Sequence, residues 1–137
     1  MPQTISHHAA LIYVMVIVSA ADSSMSDKEL QRMGSMIRNL PIFADFSEEK
    51  LISTAQDCAE ILDNDEGLET VLGLVCGALA EKLHDTAYAL AVEVAASDLK
   101  VNTEELRILQ ILRNRLGIDR LVCAGIERTV LARHRTV

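Results

Sequence analysis

The sequence is poor in everything that interrupts or locks a chain. Its 137 residues include two prolines, Pro2 and Pro41, and no low-complexity linker divides them. That length without a break fits one domain, 1–137, large enough to bury a core. Tryptophan is absent, and the aromatics are Tyr13, Phe43, Phe46 and Tyr88 alone. With 50% of residues apolar, the core has to be built from Leu, Ile, Val, Ala and Met, the material of packed helices. Cys58, Cys76 and Cys123 are odd in number and far apart. They offer no disulfide framework and no zinc spacing, and read as small buried hydrophobes in a reducing compartment, which fits a cytoplasmic location.

Long apolar runs are missing too. The run Ala9–Ala21 stops at Asp22 after 13 residues, where a membrane span wants about 20. Residues 1–8 contain no Lys or Arg, so the run does not read as a signal peptide. It is expected as a buried helix, with others at 68–80 and 84–96, and the three are expected to form the centre. There is no Gly-rich phosphate loop and no recognisable Ser/His/Asp or Cys/His arrangement. A metal-dependent hydrolase would need a base and an open cleft, which the sequence does not locate.

The net charge of −7 conceals an asymmetry. Residues 1–106 hold 18 acids and 6 bases, whereas residues 107–137 hold 7 arginines and 2 acids. Such sign asymmetry points to an interaction surface, or to arginines lining the polar faces of two terminal helices. The acidic balance and the scarcity of stacking aromatics argue against nucleic acid as a partner.

What the chain does contain is one stretch twice. At an offset of 76, Val16, Val18, Ala20, Asp22, Glu29, Leu30 and Leu40 recur as Val92, Val94, Ala96, Asp98, Glu105, Leu106 and Leu116. Met33 and Met36 meet Leu109 and Leu112. An ungapped repeat suggests duplication of one supersecondary unit, here about 5–40 and 83–116. Each copy reads as an apolar helix, a turn with an Asp, and an amphipathic helix with a Glu in its first turn. Ser26-x-x-Glu29 is a capping box, and Asn102-x-x-Glu105 a close variant. Leu30, Met33, Met36, Ile37 and Leu40 then share one helix face, and Leu106, Leu109, Leu112 and Leu116 repeat it.

The paired acids carry the candidate chemistry. A carboxylate in a turn or a first helical turn can serve only as a cap. An Asp and a Glu kept at the same two places in both copies ask for more. If the units pack about a pseudo-twofold axis, Asp22, Glu29, Asp98 and Glu105 meet, and their repulsion favours a divalent cation. Hard oxygen ligands suit Ca²⁺, Mg²⁺ or Mn²⁺ better than Zn²⁺. The seven-residue separation of Asp and Glu is not that of an EF-hand.

This duplicated pattern of small residues, Asp, and Glu seven later resembles the TerB-like tellurite-resistance family. Members usually read Ala-Asp-Gly at the turn, where this chain has Ala21-Asp22-Ser23 and Ser97-Asp98-Leu99. The resemblance implies an all-α domain with an acidic patch proposed to bind divalent metal, and no established catalytic reaction. It also implies a bacterial tellurite-resistance or stress-response setting. The partner would be another protein of that system, membrane-associated ones included, with no membrane insertion, no organic cofactor, and room for a homo-oligomer. The competing reading is a helical adaptor for a protein partner whose acids are only caps.

The remaining signals complete a count of seven helices. Ser47 is placed as N-cap of a helix from Glu48 to about Leu62, with Phe46 and Leu51 as a hydrophobic staple. Asp63-Asn64-Asp65-Glu66-Gly67 reads as cap and turn, since no acid stands where a calcium loop closes. Gly117 stops the second amphipathic helix, and Asp119 caps a last one from Arg120 to Arg133. Glu81-Lys82-Leu83-His84 is a lone Glu-x-x-His, where di-iron bundles need two. His7 and His8 are expected exposed on a frayed end.

Overall fold

The computed structural model describes residues 4–21, 25–97 and 103–137. Within them the chain is all-α, with seven α-helices and no strand: α1 (His7–Ser19), α2 (Asp27–Arg38), α3 (Leu51–Leu62), α4 (Gly67–Ala78), α5 (His84–Ser97), α6 (Thr103–Leu116) and α7 (Arg120–Arg133). No helix among the described residues is long and apolar enough to cross a membrane.

Helix α1 is the axis of the fold. Ser6 caps it, its hydroxyl oxygen accepting the Ala9 N–H at 3.0 Å. Every residue from Ala10 to Val18 is buried. A helix apolar on all sides belongs in the middle, because no face gains by meeting water. Its principal neighbour is α5, which buries Ala87, Tyr88, Leu90, Ala91, Val92, Val94 and Ala95. Around this pair, α3 and α4 rest on α1, α6 rests on α5 and α1, and α7 rests on the remaining side of α5. Each large apolar side chain so buried contributes about 1.5–3 kcal/mol. Helix α4 departs from the expected central position. It buries Val71, Leu72 and Val75 on one side, while Gly73 and Gly77 face outward with nothing within 4 Å of where a Cβ would stand. Glycines on its outer face leave little apolar surface there to cover.

The two repeat units agree in their first helices and differ in their second. Val16 and Val18 are buried, as are their counterparts Val92 and Val94. Helix α6 buries Glu105, Leu109, Leu112 and Leu116. Helix α2 buries Met33, Gly34 and Ile37 instead. At about 100° per residue, the two second helices present faces roughly 70° apart. One expected face residue is displaced as a result. Leu106 is 53% exposed. The line through Leu109, Leu112 and Leu116 passes over Glu105, and Leu106 lies roughly 90° round from it.

Local signals place most helix ends. Ser26 caps α2, accepting the Glu29 N–H and donating its hydroxyl to the Glu29 carboxylate, each at 3.3 Å. Gly117, at φ +64°, ends α6 in a Schellman turn: its N–H reaches Asn114 O, and the Ile118 N–H reaches Arg113 O. Asp119 caps α7 through the Leu121 N–H at 2.8 Å. Ser47 does not behave as expected, because its side chain makes no cap bond. The chain instead enters through a 3₁₀ turn, Glu48–Lys50, and α3 starts at Leu51. Ser53 and Thr54 turn their hydroxyls back onto Lys50 O. Leu51 is buried in the core cluster, and Phe46 is half-buried and packed against it.

Two more residues have surroundings that the sequence did not point to. His8 is buried rather than frayed, stacked on Phe43 and tilted against Phe46, with ring centroids at 5.3 and 5.1 Å. Its Nε2 donates to Ile42 O at 2.8 Å and faces the Asp45 carboxylate at 3.2 Å. Gly67 starts α4 directly after Glu66, which is itself left-handed at φ +58°. A Cβ on Gly67 would stand 2.4 Å from Ile61 O, so the turn from α3 to α4 requires glycine at this position.

Candidate metal centre

The four repeated acids divide into two described and two not. Asp22 and Asp98 lie outside the described residues. Glu29 and Glu105 occupy the first turns of α2 and α6, the ends where backbone N–H groups favour negative charge. Their surroundings differ. Glu29 is half-buried and tied to its cap Ser26. Glu105 is only 2% exposed and engaged by a partner. A carboxyl this deep is costly unless held by hydrogen bonds or opposite charge.

Glu29 borders a small cavity of about 10 Å³, room for one water molecule. Ser19 and Ser97, the last residues of α1 and α5, line it together with Arg32, Met33, Met36 and Val94. The ends of both first helices therefore come to the first turn of α2. Asp98 follows Ser97 directly in sequence, and Asp22 follows Ser19 by three. Glu105 is not among the residues lining this cavity.

The donors present are carboxylate and hydroxyl oxygens, the hard ligands that Ca²⁺, Mg²⁺ and Mn²⁺ prefer. Arg32, itself engaged by a partner, brings positive charge to the same cavity. Among the described residues, no three of His, Cys, Asp and Glu gather as a metal-holding group. Sequence reasoning missed both Arg32 and the burial of Glu105. The second had a signal in the 105, 109, 112, 116 spacing, which puts Glu105 in line with the leucines.

The other titratable clusters are structural. The Tyr88 hydroxyl donates to Glu127, and Arg113 approaches the same carboxylate at 3.3 Å, fastening α7 to α5 and α6. Burial first, and then the bond to Glu127, hold the Tyr88 hydroxyl well above its ordinary range. Burial likewise pushes the Cys58 thiol up to about 12. All three cysteines are free. His84 of the lone Glu-x-x-His has both ring nitrogens on carbonyls, Nδ1 to Leu116 O at 2.9 Å and Nε2 to Leu79 O at 3.3 Å.

The family described as Tellurite resistance protein TerB matches residues 8–127. The chain belongs to that family. The matched segment runs from within α1 to within α7 and takes in all four repeated acids. No curated protein and no solved structure matches the chain. TerB membership makes this a helical protein associated with tellurite resistance, as the duplicated Asp and Glu pattern led one to expect.

Proposed function

We propose that this TerB-family chain is a non-catalytic module of a bacterial tellurite-resistance or stress-response system, working in the cytoplasm. In this reading it takes up Ca²⁺, Mg²⁺ or Mn²⁺ through Asp22, Glu29, Asp98 and Glu105, and passes that state to a protein partner of the same system. The observation that carries the proposal is the small cavity where Glu29, in the first turn of α2, meets Ser19 and Ser97 at the ends of α1 and α5, with Asp22 and Asp98 following those serines closely in sequence.

A second reading has its own observation. Glu29 is bonded to Ser26 in a working N-cap, which is all that an adaptor with purely structural acids would need. Calorimetric titration of the chain with each of the three cations separates the two readings. Saturable binding of about one ion per chain supports a shared site, and two ions per chain indicate one site per hairpin. No heat with any of the three leaves only the adaptor.

A further inference from the structure

The arginine-rich end of the chain is only partly consumed by internal pairing. Arg113, Arg115 and Arg133 pair with Glu127, Glu69 and Glu93. Arg120, Arg128 and Arg135 are exposed and make no ion pair among the described residues. Helix α7 buries only Cys123 and Val130, and its outer face carries Leu121 at 82% and Leu131 at 57% exposure between those arginines. Unpaired cations around exposed leucines ask for an acidic surface with an apolar spot.

The same chain presents one. On the outer face of α3 and its flanking turns, Glu49, Glu60 and Asp63 are exposed without an ion pair among the described residues, and Asp57 flanks them. Ile52 stands beside them at 54% exposure. Both stripes run roughly 20 Å along a helix. Helix α3 rests chiefly on α1 and α4, and α7 chiefly on α5, and among the described residues the charges of the two stripes do not pair with each other within the chain. The α7 stripe of one chain is left to meet the α3 stripe of another.

We infer that the chain associates with copies of itself head to tail, the basic outer face of α7 docking on the acidic outer face of α3 of the next copy. The contact is heterologous, so it continues into rings or open chains rather than stopping at a symmetric dimer. Exposed ion pairs are individually weak and screened by salt, which makes the association reversible and dependent on ionic strength.

Sedimentation of the full chain tests this. In about 0.1 M salt the weight-average mass rises with concentration to at least about twice the 15.0 kDa of one chain, and in about 1 M salt it returns to one chain, the Debye length having shrunk about threefold. Arg120→Glu with Arg128→Glu, and separately Glu49→Lys with Glu60→Lys, each give monomers. All four positions are exposed, and circular dichroism checks that both variants keep the fold. Mixing the two variants restores association, because each supplies the charge the other's face has lost. A chain that stays at 15.0 kDa at every concentration overturns the proposal, as does association unchanged in both variants. Capture by anionic phosphatidylserine vesicles of a chain that remains monomeric assigns the α7 face to a membrane surface, and likewise overturns it.

Discussion

His8 and His84 stand 76 residues apart, the offset of the internal repeat, and make the same kind of bond. His8 donates to Ile42 O just beyond α2, and His84 Nδ1 contacts Leu116 O at the end of α6, at 2.8 and 2.9 Å. In each unit a histidine at the start of the first helix holds the chain leaving the second. The repeat therefore has matching closures, although α2 and α6 bury different faces.

These closures are testable by deletion. His84→Ala leaves Leu116 O and Leu79 O without their side-chain partner and is expected to cost about 1–3 kcal/mol. His8→Ala costs at least as much, since it also loses ring contacts with Phe43 and Phe46 worth about 0.5–1.5 kcal/mol. Urea unfolding of each variant measures the cost. Midpoints equal to the parent's would show that the histidines are incidental.

Two glycines of α4 should respond with opposite sign. Gly67→Ala drives a Cβ into the Ile61 carbonyl oxygen and the Leu62 backbone and is expected to lower the melting temperature clearly. Gly73→Ala meets nothing within 4 Å, in a helix interior where Ala is preferred by about 0.5–1 kcal/mol. It should raise the melting temperature. A gain from Gly67→Ala, or a loss from Gly73→Ala, would contradict the geometry of the α3–α4 turn or of the outer face of α4.

Alkaline pH should weaken the fold. The Cys58 thiol ionises near 9 when free and is pushed up to about 12 by burial. Above pH 9 the unfolded chain releases a proton that the folded chain keeps. Stability is therefore complete below that pH and falls as pH climbs toward 12, by about 1.4 kcal/mol per unit for this group. Tyr13 and Tyr88, also raised by burial, add to the loss with the same sign. Melting temperatures measured from neutral pH upward should drop beyond pH 9, and more gently in Cys58→Ala. A flat profile through that range would remove the buried-thiol argument.

The metal reading makes a prediction about folding. A cation bound only by the native state raises stability by RT ln(1 + [L]/Kd), about 2.7 kcal/mol at a hundredfold excess over Kd. Asp22→Asn combined with Asp98→Asn should abolish the rise in melting temperature with Ca²⁺, Mg²⁺ or Mn²⁺ while leaving the metal-free melt in place. If the metal-free fold itself is lost, the aspartates serve the turns rather than an ion.

Much of the architecture was legible along the chain because its determinants are local. A serine three residues before a glutamate, a glycine after the last leucine and an aspartate before Arg120 each satisfy orphan helix-end groups within a few residues. The apolar run at α1 announces burial on every side without reference to any partner. The repeat drew attention to Glu29 and Glu105, and through the pattern they belong to, it pointed to the family.

Tertiary structure alone decided what each of those residues faces. Glu105 is buried and Leu106 exposed because the leucines of α6 set which side turns inward, and that depends on where α1 and α5 lie. His8 is buried because Phe43 and Phe46 arrive from more than thirty residues away and stack on it. Glu29 and Arg32 are neighbours at i and i+3 on α2, but the cavity they border is closed by the ends of α1 and α5. Capping bonds are made within one turn and are written in neighbouring letters. The environment of a charge is set by chain segments distant in sequence, and comes into being only when the helices pack.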